Sequence, residues 1–268
     1  MKFLHKIFGK KIHRSKKNIE GCEHFFCPIC KSPIKQFNQL PEDYLKQFDH
    51  YGLVHSIFCF ETFNVLGYTC PICHSSDRNR LYAIYFRELF KKLDSPNTFS
   101  FLDIAPDKHL SKLITTYSSV DYRSADLFME NVTDKIDIRN MDIYNTNFFD
   151  FVLCSHVLEH IDEDKKAMSE IYRILKPGGH ALIMVPILLS LQEDLENPAW
   201  TSDAERWKYY AQDDHVRLYS KGGFIKKLEQ TGFKVSQFGI DFFGTDEFEK
   251  HGIHPRSILY IVEKIVNG

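Results

Sequence analysis

Two continuous apolar runs, "FFDFVLCS" (148–155) and "HALIMVPI" (180–187), flank a stretch with helical spacing and leave this chain few folds to choose from. A run without polar alternation suits a strand buried on both faces, which is the situation inside a parallel sheet covered by helices. Between the runs, "DEDKKAMSEIYRILK" places Ala167, Ile171, Ile174 and Leu175 on one helical face, and Pro177-Gly178-Gly179 is expected to stop the helix. The same alternation extends in both directions. A helix is expected from Asp77 as cap, then a strand at "FSFLDIA", a helix at "KHLSKLITTY", and strands at "DYRSADL" and "KIDI". After a polar and aromatic insertion come a helix at "KGGFIKKLEQTGF" and final strands at "FKVSQFGI" and "RSILYIVEKI". The pattern implies a doubly wound α/β sheet whose ligand crevice lies at the carboxyl ends of its strands.

Those ends carry a recurring chemistry. Asp103 ends the first strand of the alternating region, Asp126 the second and Asp137 the third, while the fourth delivers Ser155 and His156. Asp126 follows Asp103 at close to the ~20-residue offset at which an acid meets ribose hydroxyls. A single acid at a strand end commonly caps a turn, but four consecutive strand ends favour a nucleoside-type ligand. The turn after Asp103 reads Ala105-Pro106-Asp107, with none of the glycines that let a dinucleotide pyrophosphate approach the backbone.

Ahead of this region stand two CPIC knuckles, Cys27 and Cys30, then Cys70 and Cys73. Each places two thiolates on one turn, and the pair completes a tetrahedral site for a structural zinc. The gap between them is longer than in a compact ribbon, so the intervening segment, rich in aromatics, must hold structure of its own. Cys22 and Cys59 read as spare buried thiols and Cys154 as core packing. The expected organisation is a basic tail at 1–20, a zinc-knuckle module at 21–76 and an α/β domain at 77–268.

With 268 residues, 43% of them hydrophobic, the chain can bury a full core. A formal charge of −2 argues against a nucleic-acid partner, with basic residues concentrated at the N-terminus and around Arg78 and Arg80. Residues 1–17, basic and free of acids, with Phe3, Leu4, Ile7 and Phe8 at helical spacing, fit either a membrane-surface foot or a solvated tail. No apolar run reaches the ~18 residues of a membrane span, and no signal peptide is evident, so a cytoplasmic location is expected. The sequence leaves the oligomeric state open.

The run from Phe149 through "HVLEH" (156–160) and "LKPGG" (175–179) to "HALIMVPI" resembles the region after the fourth strand of class I S-adenosylmethionine-dependent methyltransferases. More narrowly, the chain is similar to bacterial methyltransferases with an N-terminal double CxxC, then R-x-R-L (Arg78, Arg80, Leu81), an "APD" turn and "DHVRLY" (214–219). This resemblance implies a Rossmann-like, doubly wound seven-stranded sheet with its last strand antiparallel. S-adenosylmethionine is the implied cofactor, and Asp103 would lie under its methionine ammonium. Ala105 would give it room, Asp126 would hold the ribose, and Asp137 with the Ile138 backbone would read the adenine. Ser155 and His156 would flank the methyl group. If a base is needed, His156, His160 and above all His215 are the candidates. Arg217, Trp207 and Tyr210 would contact the substrate, although Arg217 could equally pair with Asp213 or Asp214, and the rings could equally pack a lid. The implied reaction is methyl transfer to a small-molecule or glycan acceptor, with a place in surface-polysaccharide synthesis at the inner face of the membrane. An RNA methyltransferase and a non-catalytic zinc-stabilised binding module are the competing readings.

Overall fold

A computed structural model describes residues 25–93 and 98–266. The expected basic tail, its membrane foot at 1–17, and Cys22 lie outside the described residues. The first knuckle sits on a hairpin of β1 (Phe25–Cys27) and β2 (Ser32–Ile34), which pair antiparallel. Lys31 after the first knuckle and His74 after the second have φ of 56° and 58°, so the repeated tetrapeptide exits through the same left-handed residue twice. Between them lies α1 (Glu42–His50).

The α/β region begins with α2 (Asp77–Phe90). Its cap is Ser76 rather than the expected Asp77: the serine hydroxyl accepts the Asn79 N–H, while Asp77 is buried and accepts the Asn64 N–H at 2.5 Å. There follow β3 (Phe99–Ile104), α3 (Lys108–Ile114), β4 (Val120–Asp126), β5 (Asp134–Lys135) and β6 (Phe149–Ser155). Next come α4 (Asp164–Ile174), β7 (Leu175–Met184), α5 (Asp203–Tyr210) and α6 (Lys221–Gln230). The chain closes with β8 (Phe233–Phe238), α7 (Ile240–Phe243), α8 (Thr245–Lys250) and β9 (Leu259–Lys264).

Pro177-Gly178-Gly179 does not stop α4. The helix has already ended at Ile174, and these residues form an irregularity in the first part of β7, where the pairing with β6 shifts register and Gly178 takes a φ of 78°. Proline lacks the N–H a regular ladder would use, and glycine tolerates the kink.

The seven strands stand in the order β5-β4-β3-β6-β7-β9-β8. β3 to β7 are mutually parallel, and β9 runs antiparallel to both of its neighbours, as expected. The chain steps outward from β3 to β4 and β5, then returns to the other side of β3 as β6. The carboxyl ends of β3 and β6 therefore border the switch point where open α/β sheets bind ligands.

The knuckle segment is built into this domain: Cys27, Ile34 and Phe37 belong to the same continuous core as the sheet. Residues 59–61 also bond to the strand exit after β7, through Glu61 N to Ile187 O and Leu189 N to Cys59 O. Arg80 is fully buried and donates to the carbonyls of Gly67, Tyr68, Ser75, His251 and Gly252, with its guanidinium 3.9 Å above the Phe37 ring. A planar fork with five donors can serve carbonyls from two separate segments at once, which an ammonium cannot. Arg80→Met is expected to cost about 3–5 kcal/mol in urea denaturation and Arg80→Lys nearly as much, since buried acceptors are left unpaired; a Lys variant of wild-type stability would remove the guanidinium from this role.

Candidate functional site

Four thiols meet where the two knuckles face each other. The Cys27 and Cys73 sulfurs are 3.7 Å apart, those of Cys30 and Cys70 3.9 Å, and all four lie within 4.8 Å of one another. None forms a disulfide. A tetrahedron with Zn–S bonds of about 2.3 Å has S···S edges of about 3.8 Å, so the geometry fits the metal expected from the sequence.

The strand-end carboxylates occupy three distinct environments. Asp103, on β3, is 1% exposed and its Oδ2 accepts from the Tyr122 and Ser111 hydroxyls at 2.8 and 3.1 Å. Burial pushes its carboxyl up to about 7, with the two hydroxyls opposing. Asp126 Oδ1 accepts the N–H groups of Phe128 and Met129, both at 2.7 Å, so this residue closes the turn after β4; Oδ2 accepts no hydrogen bond among the described residues. Asp137 does not end a strand. β5 stops at Lys135, and Asp137 lies in the following turn with both oxygens engaged by Arg139, whose nearest contact is 2.6 Å. Ile138 beside it is buried.

At the neighbouring strand ends the backbone is strained. Ala105 has a φ of 53° and gives its N–H to Ala125 O at 2.9 Å; His156 has a φ of 57° and gives its N–H to Met184 O at 2.8 Å. Glycine is therefore missing from a turn that does adopt a glycine-like conformation. The sequence reading, in which Ala105 only gives the cofactor room, left out this cost of roughly 1–2 kcal/mol for a side-chain-bearing residue. Ser155 bonds the buried Tyr82 hydroxyl at 2.8 Å, a partner on α2 that strand-end reasoning did not supply.

His156 also lines a cavity between the knuckle segment and the β6 and β7 exits. One wall is aromatic, with Tyr44, Phe48, Phe60 and Phe63 from the inter-knuckle segment; the other carries Arg78, His156 and His215. The Arg78 guanidinium lies 3.4 Å from His156 Nδ1 and has no carboxylate within ion-pair distance among the described residues. Burial and the Arg78 charge push His156 down to about 4, and burial lowers His215, so both rings are neutral near pH 7.

Two expected substrate contacts, Arg217 and Tyr210, are corrected, and a third, Trp207, packs on rings of the protein itself. Arg217 is 1% exposed and occupied: it pairs with Glu196 at 2.9 Å and donates to the carbonyls of Leu158, Ile161 and Asp162. Neither Asp213 nor Asp214 is its partner. Tyr210 is fully buried, with its hydroxyl receiving the Asn197 N–H at 2.8 Å. Trp207 stacks on Tyr51 at 5.8 Å between centroids and meets Phe48 edge-on. The insertion instead sends Ala211, Gln212 and His215 to the cavity.

Sequence reasoning also missed Glu159, 0% exposed inside the quoted "HVLEH", with His156 Nδ1 3.2 Å from its Oε1. The acid was visible in the motif, but nothing local shows that it turns inward. Burial alone would raise its carboxyl; the His156 ring outweighs burial and holds it below its ordinary value. For the strained turn after β3, Ala105→Gly is expected to gain up to about 1 kcal/mol of stability, the left-handed penalty less the extra chain entropy of glycine, as read by denaturation; a loss would mean the Ala105 Cβ is needed for packing.

Comparison with known proteins agrees with this architecture. A family model described as a methyltransferase domain matches residues 74–237. The ubiquinone/menaquinone biosynthesis C-methyltransferase of Francisella tularensis subsp. novicida is 27% identical over 95 residues, 31% of this chain and 37% of the relative. The corresponding Vibrio cholerae enzyme is 26% identical over 106 residues, 34% and 40% of the two chains. The match thus spans well under half the length of these curated relatives. Among solved structures, a SAM-dependent methyltransferase from Archaeoglobus fulgidus aligns over 69% of this chain and 94% of its own, at 16% identity and a TM-score of 0.45. With more than half of its length matched by one family model, on a sheet of the expected order, the chain belongs to the methyltransferase-domain family.

Proposed function

We propose that this protein transfers the methyl group of S-adenosylmethionine to a small-molecule or glycan acceptor seated in the cavity beneath the inter-knuckle segment, and that Cys27, Cys30, Cys70 and Cys73 hold a structural zinc. The observation that carries the reading is His156, which belongs at once to the strained exit of β6 at the sheet's switch point and to the wall of that cavity. Bound S-adenosylmethionine would supply an electrophilic methyl on a sulfonium. The chain's residues would bind, align and exclude water, which supplies much of the acceleration in an in-line displacement. Asp103 would face the cofactor's ammonium, and Asp126 Oδ2 its ribose hydroxyls. With Arg139 on both Asp137 oxygens, the backbone at Ile138 is the better reader of the adenine.

The cavity fits an acceptor with an apolar or ring-bearing part against the aromatic wall and an anionic group toward Arg78. Of the candidate bases, His215 is lowered chiefly by burial, with the neighbouring Glu159 and Asp214 charges opposing, whereas His156 is lowered by burial and the Arg78 cation, so His215 is the better proton acceptor. The surface-polysaccharide reading and a location at the membrane's inner face rest on the resemblance and on the basic tail. No helix among the described residues is long and apolar enough to cross a membrane. The RNA reading loses its internal basic patch, because Arg80 is buried and Arg78 faces the cavity.

Calorimetric titration with S-adenosylmethionine and S-adenosylhomocysteine tests the reading. Asp126→Ala is expected to weaken binding roughly tenfold to a hundredfold, the worth of about 1.5–3 kcal/mol of charge-assisted hydrogen bonds; no binding by folded wild-type protein would end the assignment. The pH dependence follows from Asp103. The folded protein keeps this proton to about pH 7, whereas the unfolded carboxyl releases it near 4. Its stabilising contribution is therefore full below pH 4 and lost as pH rises to about 7, and in the folded protein the carboxylate that an ammonium needs appears only around pH 7. Cofactor affinity should rise roughly tenfold from pH 6 to pH 8 and stay flat in Asp103→Asn; an equal slope in both proteins would assign the titration elsewhere.

A further inference from the structure

A second polar cluster lies against the acceptor cavity. Glu159 sits in the 3-10 turn Leu158–His160 with its carboxylate fully buried, and apart from the His156 ring, 3.2 Å from Oε1, neither oxygen has a hydrogen-bond donor among the described residues. A buried carboxylate with so little donation is costly and persists where a cation compensates it. Arg78 favours this charge only from a distance, since it makes no N···O contact with Glu159 within 4.0 Å.

What surrounds Glu159 is imidazole. One ligand atom from each of Glu159, His160 and His215 lies within 4.8 Å of the other two, and His156 Nδ1 is 3.2 Å from Glu159 Oε1. The two histidines already have outer partners. His215 Nδ1 is 3.1 Å from Tyr210 O, and His160 Nδ1 is 3.3 Å from both the carbonyl and the carboxylate of Asp214. With Nδ1–H donated to these acceptors, Nε2 carries the lone pair, the tautomer in which metal-bound histidines are normally held. The chain locks the two segments together: Val216 N donates to Glu159 O at 2.9 Å, and the buried Arg217 grips the carbonyls of Leu158, Ile161 and Asp162. Arg217 thus aligns the cluster without touching the cavity.

We propose that Glu159, His160 and His215 form a binding site for a divalent transition-metal ion that opens, at His215, onto the acceptor cavity. Imidazoles with one carboxylate favour zinc, iron, cobalt or manganese over magnesium, which prefers oxygen and water. The site deepens the methyl-transfer reading, on which its chemical use rests, by naming the acceptor class: a molecule with a hydroxyl that coordinates the ion. Coordination lowers the hydroxyl's pKa, and with its Nε2 on the ion His215 would serve as a ligand rather than as the base. Its O–H bond breaks with the proton passing to water, and the oxygen lone pair forms a bond to the methyl carbon. The S–C electron pair stays on sulfur, leaving S-adenosylhomocysteine.

The test uses the full chain loaded with one zinc in the four-thiol site, titrated with Mn²⁺ while free Mn²⁺ is followed by electron paramagnetic resonance. One Mn²⁺ per chain is expected, displaced by added Co²⁺ or Zn²⁺. Binding should weaken at least about tenfold in Glu159→Gln and in His160→Gln, each checked for cooperative thermal unfolding. If Glu159→Gln fails to fold, His160→Gln, whose ring is 30% exposed, decides. Folded wild-type protein that takes up no second ion, or variants that bind Mn²⁺ as the wild type does, would overturn the site. Titration with S-adenosylhomocysteine separates the two ideas: cofactor binding without Mn²⁺ binding leaves methyl transfer standing alone, and the converse leaves a metal site in a protein that does not bind the cofactor.

Discussion

The structure depends on one buried cation. Arg80 leaves α2 inside the core and is neutralised by carbonyl dipoles, with the buried Asp77 close enough to favour its charge. Those carbonyls belong to the second knuckle and to the loop before β9, so a single guanidinium fastens the thiol cluster to the far end of the sheet. Its flat face on Phe37 adds the first knuckle's hairpin to the same point. Because the module is fixed there, the inter-knuckle segment has only one place to run, across the exits of β6 and β7, where its aromatic rings become a wall of the cavity.

The opposite edge of the site is governed by backbone strain. β3 and β6 are neighbours, and each leaves the sheet through a residue with positive φ that is not glycine. Both residues are held by one backbone hydrogen bond to the next strand over, Ala105 to Ala125 and His156 to Met184. The sheet thus imposes the conformation, and two adjacent strand exits turn back toward the same crevice. Asp103 beneath them is kept dry enough to bind its proton up to about pH 7, which prepares a carboxyl that ionises when a cation arrives.

Arg217 does for the insertion what Arg80 does for the knuckles. It is spent on Glu196 and on the carbonyls of the turn after β6, and by that means brings His215 beside Glu159 and His160. Residues 54 positions apart in sequence, His160 and Asp214, touch as a result. An arginine in a polar motif such as "DDHVRLY" reads naturally as a substrate contact. Inside the fold its five donors are exhausted by the protein itself.

The sequence alone determined the parts whose cause is local. Apolar runs such as "FDFVLCS" can be satisfied only between helices, and the repeated Cys-Pro-Ile-Cys turn offers two sulfurs whatever follows it. The sheet, the thiol cluster and the acids at β3 and β4 were therefore legible before any coordinates. What only the tertiary structure decided depends on distant partners: which charges are already neutralised, which rings are already stacked, and which acid faces inward. Asp137 is closed by Arg139, Arg217 by Glu196, and Trp207 by Tyr51, whereas Arg78 and Glu159 have no full charge opposite them among the described residues and share the His156 ring. A charged side chain becomes available to a ligand only when the fold fails to satisfy it, and that balance is set by burial and long-range contacts that spacing along a chain does not encode.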